Sequence, residues 1–113
     1  MSSRQFYLRF TALVNAMNKD AGIDLDALAL RLLEAITAAH ASGNPLKVTD
    51  ALVLTEIASS ATLHKKLEVL KAQGYIKVEH PEDNRRTKYL TPTPQALNHF
   101  DALGRALLKA AQK

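Results

Sequence analysis

The sequence predicts a mainly α fold with a small β-wing, and three observations predict it. A capped amphipathic helix runs from Ser59 and stops at Gly74. A short basic hairpin, Tyr75 to Leu90, follows it with no linker. Further amphipathic segments at residues 3–18 and 93–111 lie outside that core and read as additions to it. A helix running straight into a basic hairpin is the reading unit of a winged helix-turn-helix. The expected architecture is therefore a single winged helix-turn-helix domain over residues 1–113, with added N- and C-terminal helices and the helix-turn-helix and wing at 46–91.

Ser59 and Ser60 are both good N-caps, because a serine oxygen accepts a bond from an otherwise unpaired first-turn N–H. Leu63, Leu67 and Leu70 follow at i, i+4 and i+7, one apolar stripe at helical period. Gly74 supplies the left-handed conformation that commonly ends a helix. Ala61, Lys65, Glu68 and Ala72 fall opposite the leucines, with Thr62, His64 and Val69 on the flanks. That face is small and polar at its start and then basic, which suits a major groove. It also suits an ordinary surface helix, and the helix alone does not decide between them.

In the hairpin, Ile76 and Val78 alternate with Lys77 and Glu79, and Tyr75 and Tyr89 are strand formers. Pro81-Glu82-Asp83-Asn84 is a turn cluster, since proline presets φ and Asp and Asn bond their own backbone. Arg85, Arg86 and Lys88 sit at and just after the tip, where arginine can grip phosphates or enter a minor groove.

Residues 49 to 97 resemble the DNA-binding core of the MarR family of bacterial transcription regulators. Ser59, Thr62, Leu63, Leu70, Gly74 and Tyr75 match the pattern of its recognition helix. Pro81, Asp83 and Arg85 match its wing, and Leu90-Thr91 its approach to the last helix. The resemblance implies that Arg85 is the wing residue that reaches DNA and that Asp83 orients it; by their chemistry Asp83 and Arg85 read as an ion pair shaping a loop rather than as an acid–base pair. It also implies a regulatory role and a small-molecule effector. The sequence departs from the family pattern at Pro92-Thr93-Pro94, where a glycine is usual. It also lacks the family's second C-terminal helix, so dimer geometry and effector response do not carry over.

Taken in order, residues 3–18 form the first helix, with Phe6, Phe10, Leu13, Val14 and Met17 at helical spacing. It either packs on its own domain or lies across a partner subunit, and its large aromatics favour an interface. After a break at Asn18–Gly22, a helix from Ile23 or Asp24 to about His40 buries Leu25, Leu28, Leu32, Ala35, Ile36 and Ala39. Ser42-Gly43-Asn44-Pro45 ends it. Leu46-Lys47-Val48 could add a third strand to the wing. Thr49 is a plausible cap for a short helix from Asp50 to about Leu54, and Thr55–Ala58 turns into the recognition helix, with Ile57 as a core plug. Thr93-Pro94 is a strong helix start, a hydroxyl cap followed by proline at the first position. Leu97, Phe100, Leu103 and Leu107 give that helix its stripe, expected to dimerise or to pack on the first helix.

Composition narrows the function. The chain has 113 residues, 47% hydrophobic, with no cysteine, so it has no disulfide, thiolate metal site or redox-sensing thiol. No apolar run approaches the ~20 residues that span a bilayer, and a cytoplasmic protein is expected. The net charge is +4. In residues 1–45, Arg4, Arg9, Lys19 and Arg31 balance Asp20, Asp24, Asp26 and Glu34, so the excess lies wholly in the second part. The glycines are scattered, which excludes a phosphate loop, and the histidines have no metal-ligand spacing. No catalytic set is visible and no cofactor is expected, so the chain is not read as an enzyme.

The expected function is sequence-specific binding of double-stranded DNA by a homodimer that controls transcription. Ser60, Thr62, His64 and Lys65 would face the major groove, and Lys65 and Lys66 would hold phosphates. Arg85 and Arg86 would take the minor groove or its flanking phosphates, and Lys88 and Lys77 would add backbone charge. Two rivals use the same fold: an architectural or replication/partition DNA-binding protein, and a winged helix turned protein-interaction module.

Overall fold

A computed structural model describes residues 2–52 and 58–112. The expected end of the short helix at Leu54, the turn residues Thr55–Ile57 and the core plug Ile57 lie outside the described residues. The elements are α1 (Ser3–Asp20), α2 (Ala27–Ala41), α3 (Val48–Ala51), α4 (Ser60–Ala72), β1 (Ile76–Glu79), β2 (Tyr89–Pro92) and α5 (Pro94–Ala111). This is the mainly α fold with a small β-wing that the sequence predicts, and the wing is two-stranded. Among the described residues no helix is long and apolar enough to cross a membrane.

The chain forms two compact units, Leu25–Asn98 and Met1–Asp24 with His99–Lys113. The first holds the core. α2 buries Ala29, Leu32, Leu33 and Ile36, and α4 buries Leu63, Leu67 and Leu70. α2 packs on both α4 and β2, and α4 also meets β1. β1 and β2 are antiparallel, with Ile76 opposite Pro92 and Val78 opposite Leu90. Ile76, Leu90 and Pro92 are buried on that apolar face, while Lys77 and Glu79 on the other face are exposed. Thr91, 4% exposed, is the exception on the polar face: its Oγ1 is buried with no hydrogen-bond partner.

Two helix starts differ from the sequence reading. α2 begins at Ala27 rather than near Asp24, because Asp26 is its N-cap and accepts the Ala29 N–H at 2.8 Å. α3 begins at Val48 without using Thr49 as a cap. There Asp50 Oδ2 accepts the Lys47 N–H at 3.1 Å, while Lys47 bridges Tyr89 of the wing. The Val48 N–H donates to Lys88 O at 2.9 Å and the Leu90 N–H to Leu46 O at 2.8 Å. Leu46–Val48 thus runs beside β2 and passes directly into α3, but it makes one isolated bridge and the sheet stays two-stranded, so the third strand that the sequence allowed does not form.

In the other unit, Ser2 caps α1 and Gln5 bonds back to it. The Nε2–H of His99 donates to Asn18 Oδ1, near the end of α1. Ala110 and Ala111 line a groove with Ser2, Phe6, Phe10 and Leu13 at its start. The two segments therefore run antiparallel. No described residue of this unit is buried, and Tyr7, Leu8 and Leu108 are exposed.

Candidate nucleic-acid interface

α4 is held at both ends by local chemistry. Ser59 is the cap, its Oγ accepting the Thr62 N–H at 3.3 Å. At the other end Gly74 takes φ +80°, the Gly74 N–H donates to Lys71 O at 3.1 Å and the Tyr75 N–H to Leu70 O at 2.9 Å. That is a Schellman motif, completed by burial of both Leu70 and Tyr75. Thr93 adds a latch. Its hydroxyl donates to Gly74 O at 2.7 Å and accepts the Ala96 N–H at 3.3 Å, so the cap of α5 also ties down the end of α4.

On α4, Ala61, His64, Lys65 and Glu68 are exposed and Thr62 is half-buried. The Ser60 hydroxyl donates to Leu52 O at 2.8 Å, which secures the start of α4 to the end of α3. Thr62 Oγ1 accepts from Ser59 Oγ at 3.0 Å, leaving its own hydroxyl proton for another acceptor. Lys66 is placed apart from the rest. It is half-buried and ion-paired with Asp26.

The wing tip is two successive turns centred on Asn84. The Asn84 N–H donates to Pro81 O at 3.2 Å, Asn84 O accepts the Thr87 N–H at 3.3 Å, and Asn84 Oδ1 accepts the Arg86 N–H at 3.1 Å. Arg85 and Arg86 are the two central residues of the second turn, and both are exposed. Across the hairpin, His80 Nδ1 lies 3.1 Å from Thr87 O. A carbonyl only accepts, so this nitrogen carries the proton. Among the described residues no ion pair joins Asp83 to Arg85. They sit in separate turns, and Asn84 shapes the tip that the sequence reading gave to Asp83.

Electrostatics then sort the cations. Among the described residues, Lys71 pairs with Glu68 at 3.1 Å and Lys77 with Glu79 at 3.1 Å, and Lys66 pairs with Asp26. Lys65, Arg85, Arg86 and Lys88 are exposed and have no ion pair among the described residues. Sequence reasoning passed over Lys47, which the bridge to Tyr89 brings beside the wing as a further exposed cation. Its only signal was membership of a segment that could pair with the wing. Asp26 was also passed over, since nothing local connects it to Lys66. Among the described residues no three His, Cys, Asp or Glu side chains gather as a metal site.

No protein-family model matches this sequence, and no curated protein matches it. Solved structures do match in fold. A mutant of MepR from S. aureus, bound to an oligodeoxyribonucleotide, has a TM-score of 0.70 at 16% identity over 96% of this chain and 75% of its own. The transcriptional regulator Tm0710 of Thermotoga maritima also has a TM-score of 0.70 at 16% identity, over 96% and 72%. S. aureus MarR, in complex with salicylate and kanamycin, has 0.62 at 21% identity over 97% and 69%. With its capped α4, latched turn and Arg-tipped hairpin, the chain carries the winged helix-turn-helix fold of the MarR-type transcriptional regulators.

Proposed function

We propose that this chain is a sequence-specific double-stranded DNA-binding transcriptional regulator that acts as a homodimer. The observation that carries the reading is the set of exposed cations with no ion pair among the described residues, Lys65 on α4 and Arg85, Arg86 and Lys88 on the wing, on a fold shared with a protein solved on an oligodeoxyribonucleotide. α4 enters the major groove. Thr62 donates its remaining hydroxyl proton to a base edge or phosphate, His64 reads a base edge, Ser60 approaches with them, and Lys65 holds a phosphate. Arg85 and Arg86 take the adjacent minor groove or its phosphates, and Lys88 and Lys47 add backbone charge. The role is binding rather than catalysis, and it places the protein in the cytoplasm with the chromosome.

The homodimer rests on the terminal segments. α1 and residues 99–111 of α5 bury nothing yet expose Tyr7, Leu8 and Leu108. A second copy covers them and sets two recognition helices on half-sites about one helical turn apart. The single winged-helix domain is then complete with its terminal helices at 3–18 and 93–111 as dimer contacts. S. aureus MarR was solved with salicylate, so a small-molecule effector belongs to the proposal and salicylate is the first compound to add.

The test is selection from a random double-stranded library at two salt concentrations, followed by sequencing. An inverted repeat is expected, and Arg85→Ala should weaken binding to it at physiological salt with the fold intact. Binding without a motif, lost steeply with salt, would replace the regulator with an architectural protein that contacts phosphates alone.

A further inference from the structure

Lys66 does not share the exposed face of α4. Leu63, Leu67 and Leu70 mark the buried stripe, and at about 100° per residue Lys66 lies on the flank of that stripe. Its side chain is 25% exposed, and its Nζ donates to Oδ2 of Asp26, which is 54% exposed. Asp26 has a second task. Its Oδ1 accepts the Ala29 N–H at 2.8 Å and caps α2. One carboxylate therefore closes the start of α2 and grips the middle of α4, the helix that α2 packs against.

We propose that Asp26 is a positioning residue for DNA readout: through Lys66 it fixes the roll of the recognition helix against α2, and Lys66 is not a phosphate ligand. The inference rests on the DNA-binding reading above. A ridge of leucines tolerates small rotations, because apolar contact has no direction. A charge-assisted hydrogen bond is directional and sets the angle. Base-edge contacts depend on that angle, whereas phosphate contacts carry no sequence information. A partly exposed ion pair adds little to stability, so the pair acts on sequence preference more than on melting temperature.

Asp26→Asn keeps the helix cap, since Asn caps as well as Asp, and removes the ion pair. Lys66→Met keeps the apolar stem and removes the charge. Both variants and the double variant are titrated with the selected inverted repeat and with a scrambled duplex over a salt series, alongside thermal melts. Each single variant should lose about tenfold of its preference for the repeat, the scale of one base contact. Affinity for the scrambled duplex and the salt slope should stay the same, and the double variant should be no worse than either single one. A salt slope lowered by about 0.9 in Lys66→Met would make Lys66 a phosphate ligand and overturn the proposal. Tighter binding by Asp26→Asn, or unchanged preference in both variants, would overturn it too. If the unmodified protein selects no motif, the regulator reading fails and this inference falls with it. If it selects one and the variants keep it, only this inference falls.

Discussion

In Leu25–Asn98, the side chains of Leu32, Ile36, Leu63, Leu70 and Leu90 are fully buried; in Met1–Asp24 with His99–Lys113, no described residue is buried at all. Both units are built from amphipathic helices with leucine-bearing stripes, and the helix aromatics Phe6, Tyr7, Phe10 and Phe100 all lie in the second. The first covers its stripes with elements of the same unit, α2 on α4 and on β2. The second has one helix and part of another, antiparallel, and a groove lined by Phe6, Phe10 and Leu13. A helical apolar stripe thus states that a helix needs cover, not where the cover comes from. Two helix segments cannot enclose a core between them, whereas helices with a hairpin can.

That contrast can be broken first in its buried half. Leu70→Ala removes a fully buried side chain that also completes the Schellman motif, and should cost roughly 2–5 kcal/mol in denaturant unfolding. A loss of only a few tenths would mean that the core is looser than its burial indicates. The open half should answer differently. Leu8 and Leu108 are 57% and 64% exposed, so Leu8→Glu/Leu108→Glu should leave helical content unchanged. It should weaken self-association by on the order of 3 kcal/mol, the cost of uncompensated charge in a dry interface. Sedimentation at several concentrations checks this, and an unaltered assembly would move the dimer contact elsewhere.

The contrast can also be sharpened within the buried half. The hydroxyl of Thr91 is buried without a partner among the described residues, so Thr91→Val should raise stability by roughly 1–3 kcal/mol. A fall in melting temperature would refute that reading of the site. The smallest effect concerns Asp26. The hydrogen bond from Lys66, and then that from Ala29, holds its carboxyl below the ordinary aspartate value of 3.8. A lowered folded value means that its stabilisation is whole above pH 3.8 and is lost as pH falls below that, through the folded value. The unmodified protein should therefore be slightly more stable than Asp26→Asn at neutral pH, with the gap closing in acid. A gap that persists in acid would assign the difference to something other than this charge.

Much of the fold was legible because its signals are local. Leu63, Leu67 and Leu70 show the buried side of α4 by spacing alone. Ser59, Gly74 and Thr93-Pro94 mark ends by chemistry that acts within a few residues. The misplaced helix starts share one cause, a partner distant in sequence. Asp24 and Asp26 are equal as caps until Lys66 is brought beside Asp26, and α3 starts early because Lys47 and Val48 are already paired with the wing. The candidate site divides in the same way. Exposure of Lys65, Arg85, Arg86 and Lys88 follows from helix phase and from a turn-rich tip. The pairing of Lys66 does not, since its acid lies on another helix. At the tip, Asp83 and Asn84 are both turn residues, and only the bonds of Asn84 separate them.

The latch at Thr93 has a consequence for how α4 breathes. The amides of Gly74, Tyr75 and Thr93 are hydrogen-bonded at one joint shared by the end of α4, the start of β1 and the start of α5. They cannot open one element at a time, so their hydrogen exchange should follow the opening of the whole core. Among the described residues, the side-chain hydrogen bonds at the start of α4 are those of Ser59 and Ser60. Fraying is thereby confined to one end of the helix: its C-terminus is an anchor, and its first turn, which carries Thr62, retains the freedom to adjust to a surface.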